Sequence, residues 1–241
     1  MDHYMDAFAG MASSDEAKAT YLASLGRDYG EFRMGRNTTR MLNEDPKMLL
    51  FTLARYKFVA KMMTGFDTVL EIGCQEAWGL PLVAQNVKSA HGVDFYIPYI
   101  DSCCRRITEC GKTTNMTFGA HDILDGPLPH NYDGVFALDV LEHIAQADED
   151  LFIRNALRCL APHGTLILGM PSRESQAYAS EASRLGHVNC KTGPELVAFA
   201  RRYFNNVGTF CMNDEVLHTG FYPMAQYLLI LCSGVKAVQL I

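Results

Sequence analysis

Four carboxylates stand at regular stations along the chain, and each belongs to a short apolar run. Glu71 sits in Val69-Leu70-Glu71-Ile72-Gly73, and Asp94 closes Ala90 to Val93. Asp122 follows Met116 to Gly119, and Asp139 follows Val135 to Leu138. A carboxylate at the end of a second strand, 23 residues beyond the first, suits the two hydroxyls of a ribose. Gly73 follows the first run directly and lets the backbone approach a ligand closely. A lone Asp in such a place usually caps the next helix. Four in register are hard to explain as caps alone and are read as one binding edge. Just past the fourth run, in Asp139-Val140-Leu141-Glu142-His143, lies an imidazole. His143 is suited to removing a proton from a hydroxyl near neutral pH, or else it packs the following helix. Glu142 and His143 could together hold a divalent metal, but the chain shows no further clear ligand pair, so no metal is assigned and a chelator is expected to leave the rate unchanged.

These residues need elements that bring them to one edge. Thr68 to Ile72, Ala90 to Asp94, Met116 to Gly119, Val135 to Leu138 and Thr165 to Gly169 read as strands. Leu80 to Val87, Ile97 to Cys110 and Asp148 to Leu160 read as helices between them. Such alternation predicts an α/β fold whose parallel sheet carries helices on both faces, with the strand C-termini aligned along one edge. Val207 to Met212 and Tyr227 to Cys232 lack an intervening helix and are expected to form an antiparallel pair. Before Phe66 the chain reads helical. Ser13 to Glu16 resembles a capping start, Arg27 to Arg40 is a polar stretch, and Pro46 opens a run in which Leu50, Ala54, Phe58 and Met62 share a face. Residues 1–65 are accordingly expected to be a helical cap, and 66–241 one compact domain.

Composition narrows the function classes. A chain of 241 residues, 49% hydrophobic and 20% charged, can bury a full core without disulfides or metal. Net charge −6 speaks against a phosphate-backbone binder. None of the eight cysteines stands in a Cys-x-x-Cys pair, which points to reduced, structural thiols in a cytoplasmic protein. The longest clean apolar run, Tyr227 to Cys232, is far short of the roughly 20 residues a membrane span needs.

Taken together, VLEIGC (69–74), GVDF (92–95), HDI (121–123), YDGVFALDVLEHI (132–144) and LAPHGTLILGMPS (160–172) resemble the class I S-adenosylmethionine-dependent methyltransferases of the small-molecule type. The resemblance implies a Rossmann-like three-layer sandwich with a mostly parallel seven-stranded sheet. It implies S-adenosyl-L-methionine as cofactor, with Glu71 and Gly73 lining the methionine moiety, Asp94 on the ribose, and Phe95 a further cofactor-binding candidate. Asp122 would accept from the adenine amine, Ile123 would pack on the ring, and Asp139 would sit near the methionine amine. Some quinone-precursor methyltransferases that resemble the Glu142-His143 motif hold a metal there. The family's Gly-x-Gly-x-Gly is reduced to Gly73, Gln75 and Ala77. That departure favours the rival reading, a catalytically inactive methyltransferase fold serving as a binding or assembly protein; the intact acidic series disfavours it. A nicotinamide oxidoreductase is disfavoured by the absence of Gly-x-Gly-x-x-Gly.

The acceptor must be read by what covers this edge. The polar segment Ser172 to Lys191 supplies Arg173, Gln176, Tyr178, His187 and Asn189; Asn213 to Phe221 supplies Asp214 and His218. Arg173, Tyr178, His187, Asn189, Asp214 and His218 are the candidate substrate-binding residues, with His187 a second catalytic candidate beside His143. The first segment has no strong apolar period and is expected to be ordered mainly by ligand. Tyr29, Arg33 and Arg36 could close the site from the cap. Transfer of a methyl group to O or N of a small polar acceptor is expected, a sugar or sugar-nucleotide being the first guess. The expected partner is that small molecule, without nucleic acid or membrane; a homodimer stays open.

Overall fold

Strand β1 (Thr68–Ile72) lies near the middle of an eight-stranded sheet. In the computed structural model, which describes residues 14–25, 34–110 and 114–236, it pairs in parallel with β2 (Ser89–Asp94) on one side and β4 (Tyr132–Leu138) on the other. Strand β3 (Met116–Ala120) flanks β2, and β5 (Leu160–Pro171) flanks β4, both in parallel. Beyond β5 the direction reverses. There β8 (Tyr227–Val235), β6 (Phe204–Asn213) and the short β7 (Val216–His218) follow in antiparallel pairings. The order β3-β2-β1-β4-β5-β8-β6-β7 puts the C-terminal ends of all five parallel strands along one edge.

Alternation along the strands explains the two layers. Leu70, Val135, Ala137, Leu166 and Leu168 face one core, packed under α6 (Glu149–Arg158) and α8 (Gly193–Arg201). Val69, Phe136, Leu138 and Ile167 face the other, under α3 (Lys47–Met62), α4 (Leu80–Ala84) and α5 (Ile97–Cys110). Strands buried on both faces read as continuous apolar runs, which is why they were legible from sequence.

Three expectations change. The sheet has an eighth strand, because Asn213 to Phe221 does not stay a loop: Asp214 takes a left-handed φ of 52° and turns the chain into the β6–β7 hairpin. Helix α4 ends at Ala84 rather than Val87, where the Asn86 side chain donates to the Leu82 carbonyl. In α3 the expected face is half right: Phe58 is buried and Ala54 packs against the core. Leu50 and Met62 are exposed, whereas Tyr56, Val59 and Met63 are buried. Thr52 and Arg55, on the side toward the sheet edge, line a cavity there, and their polarity hid the true period.

A further helix, α2 (Arg36–Glu44), occupies much of the supposed polar stretch. Its first N–H groups are satisfied from 38 and 39 residues away: Glu76 accepts from the Asn37 and Thr38 amides at 2.9 Å each and from the Thr38 hydroxyl at 2.8 Å. No local signal announces a cap supplied by so distant a residue. Helix α1 (Ser14–Leu25) begins at the capping-type start, whose Ser13 lies outside the described residues, as do Tyr29 and Arg33. Among the described residues seven cysteines are free thiols, six of them buried. Among them, too, no helix is long and apolar enough to cross a membrane.

Candidate active site

The loop from β1 to α4 is built on three left-handed residues. Gly73 has φ 77°, Gln75 47° and Ala77 45°. The two positions where glycine is replaced thus keep a backbone that costs an L-residue about 1–2 kcal/mol each. Gly73 cannot be replaced in the same way, since a Cβ there would lie 2.4 Å from Val140 Cγ2. Asp94 is buried and holds the loop: one carboxylate oxygen accepts from the Gln75 amide and the other from the Tyr96 amide, both at 2.9 Å. An ionised carboxylate has about four lone-pair sites, so acceptor capacity for two hydroxyls remains. Asp122 accepts from the Leu124 amide at 2.9 Å and keeps its second oxygen. Ile123 beside it is buried, its carbonyl tied by Asn155 at 2.7 Å.

These residues enclose a cavity of about 460 Å³, walled by Gly73, Gln75, Asp94, Phe95, Asp122, Ile123, Asp139 and His143. A second cavity of about 220 Å³ opens on the far side of Gly73, Gln75, Asp139 and His143, which line both. Its other walls include Thr52 and Arg55 of α3, Glu142, Ser183 and His187.

Charge is concentrated where the two cavities meet. Asp139, at φ 56°, receives Arg55 Nη1 on both carboxylate oxygens at 2.8 and 3.0 Å. The guanidinium lies over the Tyr227 ring, 3.7 Å from its centre. Burial works against the Arg55 charge, but Asp139, Tyr227 and Glu142 together raise the guanidinium above its ordinary value. Glu142 is fully buried in a single 3-10 turn, Leu141–His143, and neither of its carboxylate oxygens has a hydrogen-bond partner. Burial, then Asp139, pushes its carboxyl well above the usual range. Glu71 is buried beneath the loop, where it accepts from the Tyr56 hydroxyl. Burial raises the Glu71 carboxyl to about 8.

His143 Nδ1 stands 2.9 Å from the Gly186 carbonyl, and His187 Nδ1 2.8 Å from Gln176 Oε1. The two rings meet edge to face, centroids 5.1 Å apart. Burial, then the neighbouring His143, lowers the His187 pKa.

Residues 69–164 match the family model described as a methyltransferase domain. Among solved structures, the chain resembles the N-methyltransferase NodS from Bradyrhizobium japonicum WM9 in complex with S-adenosyl-L-homocysteine, at 20% identity and TM-score 0.58 over 80% of this chain and 90% of that one. It also resembles the methyltransferase domain of bacterial CtHen1-C, at 14% identity and TM-score 0.63 over 76% and 98% of the two chains. DhpI in complex with S-adenosyl-L-homocysteine aligns at 14% identity and TM-score 0.59 over 82% and 90%. At these identities the likeness establishes the fold. No curated protein sequence matches the chain.

Of the residues singled out from sequence, Gly73, Asp94, Phe95, Asp122, Ile123, Asp139, His143 and His187 come together around the two cavities. Glu71 lines neither. The acceptor-side candidates mostly go elsewhere. Arg173 donates to the Cys190 carbonyl and to Glu195. Asn189 is buried and donates to Glu149 at 3.1 Å. Tyr178 is 92% exposed. His218 closes on Asn213, and Asp214 donates its amide to Gln226, both in the β6–β7 hairpin. None of these five lines either cavity. Arg36 lines a separate groove between α2 and α5. The segment after β5 has more order of its own than its pattern suggested. It folds into a 3-10 turn, Glu174–Tyr178, and α7 (Glu181–Gly186), whose N-terminus Ser180 caps. Arg55, Thr52 and Tyr56 were missed. Their signal was polar residues on a helix face that had to be buried, visible only once the face is known.

Proposed function

We propose that the protein is an S-adenosylmethionine-dependent methyltransferase acting on O or N of a small polar acceptor. The observation that carries this is the pair of cavities joined at Gly73, Asp139 and His143. The larger has carboxylates placed for a ribose and an adenine amine, and the smaller is lined by polar and titratable side chains. S-adenosylmethionine supplies a methyl group on a sulfonium. Asp94 would accept from the ribose hydroxyls, Asp122 from the adenine amine, and Ile123 would pack against the ring. The glycine-loop backbone supports an active protein over an inactive relative, since its left-handed conformation persists through Gln75 and Ala77.

The chain's own contribution to the transfer is alignment and exclusion of water. His143 and His187 stand on the acceptor side of the junction. With Nδ1 engaged by a carbonyl oxygen, each ring carries its proton there and presents Nε2 as a lone pair. The test is calorimetric titration with S-adenosylmethionine and S-adenosylhomocysteine. Both should bind with one site per chain; a folded protein giving neither heat nor thermal shift with either compound overturns the reading. In a methylation assay, His143→Ala should lower turnover by about 10²–10⁴ while cofactor affinity stays within about twofold.

A further inference from the structure

We propose that Glu142, His143 and His187 form a binding site for one divalent first-row transition-metal ion, open toward the acceptor cavity. Among the described residues these three bring one carboxylate oxygen and two imidazole nitrogens within 4.8 Å of one another. Sequence offered only the adjacent pair. The third ligand arrives from 44 residues beyond His143, because the Glu142 carbonyl accepts from the Val188 and Asn189 amides at 2.8 and 3.0 Å and pins that stretch beside it.

Two independent features point to a cation. First, Glu142 is 0% exposed and both its carboxylate oxygens lack a partner. An isolated buried carboxylate is costly, and the nearby guanidinium of Arg55 is already engaged on both oxygens of Asp139. Second, the imidazoles are oriented as ligands. Gly186 O and Gln176 Oε1 can only accept, so Nδ1 of each ring carries a proton and, in the neutral ring that a metal ion selects, Nε2 carries the lone pair. Carbonyl oxygens holding the far nitrogen in this way are what fixes metal-ligating histidines elsewhere. Gln176 is itself held, its amide nitrogen donating to the Ser172 carbonyl at 3.3 Å.

Two nitrogens and one carboxylate suit Mn²⁺, Fe²⁺, Co²⁺ or Zn²⁺ rather than the all-oxygen shells of Ca²⁺ or Mg²⁺. Three protein ligands leave coordination positions free, and all three ligand residues line the smaller cavity. The site therefore deepens the methyltransferase reading, on which its role rests, and selects an acceptor that reaches the ion through a hydroxyl oxygen. On such an ion the hydroxyl loses its proton to solvent more readily. The oxygen lone pair then takes the methyl carbon while the carbon–sulfur bond breaks and leaves its pair on sulfur.

The experiment uses the full chain, stripped with chelator and dialysed. Titration with Mn²⁺, Co²⁺ and Zn²⁺ should show one site per chain, and Co²⁺ should give visible absorption bands of a nitrogen- and oxygen-ligated ion. His187→Ala and Glu142→Gln should each weaken the ion by about 10–100-fold or more. Both should still bind S-adenosylhomocysteine within about threefold, which checks their fold. Metal-free Glu142→Gln should melt no lower than metal-free wild type, and Mn²⁺ should raise the melting temperature of the wild type only. Equal ion affinity in wild type and both variants overturns the site. Loss of S-adenosylhomocysteine binding by the wild type, with the ion still bound, overturns the methyltransferase reading and leaves the site standing.

Discussion

The two sides of the sheet edge are built on different terms. On the cofactor side, each functional residue is delivered by the strand that precedes it and is held by backbone amides within a few residues or on the adjoining strand. Asp94 bonds to Tyr96 and Gln75, and Asp122 bonds to Leu124. On the acceptor side, residues meet from remote segments: Arg55 from α3 on Asp139, and His187 from the stretch after β5 beside His143. Local assembly keeps the loop's left-handed backbone even with Gln75 and Ala77 in it. Remote assembly fails when any one anchor does.

If that contrast holds, damage on one side should leave the other intact. The largest effect is expected from Gly73→Ala, where the new Cβ would meet Val140 Cγ2 at 2.4 Å on a backbone with φ 77°. S-adenosylhomocysteine affinity should fall at least about 100-fold, roughly 2.7 kcal/mol, by calorimetry. Unchanged affinity would mean that the loop can be rebuilt and that the close approach at Gly73 is not needed. Asp94→Ala comes next, at about 1–3 kcal/mol of cofactor affinity, because charge-assisted acceptors for the ribose and for the loop disappear together. Asp122→Ala should cost less. A loss larger than that of Asp94→Ala would reverse the assigned weights of the two carboxylates.

Beneath the loop, Glu71 under Tyr56 should show as a pH dependence of stability. Its carboxyl is raised from 4.5 to about 8 in the fold, chiefly by burial. The folded state therefore binds the extra proton between those values. This contribution is complete below about pH 4.5 and is lost as pH rises through 8. Stability from denaturant melts should decline across that window by at most about 1.4 kcal/mol per pH unit from this group. Glu71→Gln should flatten the decline; an identical profile in the variant would remove Glu71 as its source. The smallest effect is expected at Gln75, exposed and left-handed at φ 47°. Gln75→Gly should gain up to about 1 kcal/mol, less the exposed bond from Asn37, and raise the melting temperature by about 2–4 °C. A lower melting temperature would mean that the Asn37 tie to α2 outweighs the strain.

Much of the molecule was determined by residue order alone. The five parallel strands are short apolar runs buried on both faces, so their periodicity and their terminal carboxylates survive in one dimension. The same logic made Asp94, Asp122, Asp139 and His143 legible, since each follows its strand directly. What lay beyond sequence was whatever depended on two distant segments meeting. Glu76 caps α2 from 38 residues away, Arg55 crosses 84 residues to Asp139, and His187 lies 44 residues from His143. Arg173, Tyr178, Asn189, Asp214 and His218 share the polarity of His187, but packing sent their side chains to other partners or to solvent. A side chain's type records what it can bond with, whereas the tertiary structure alone decides which partner comes within about 3 Å, the range in which such bonds form.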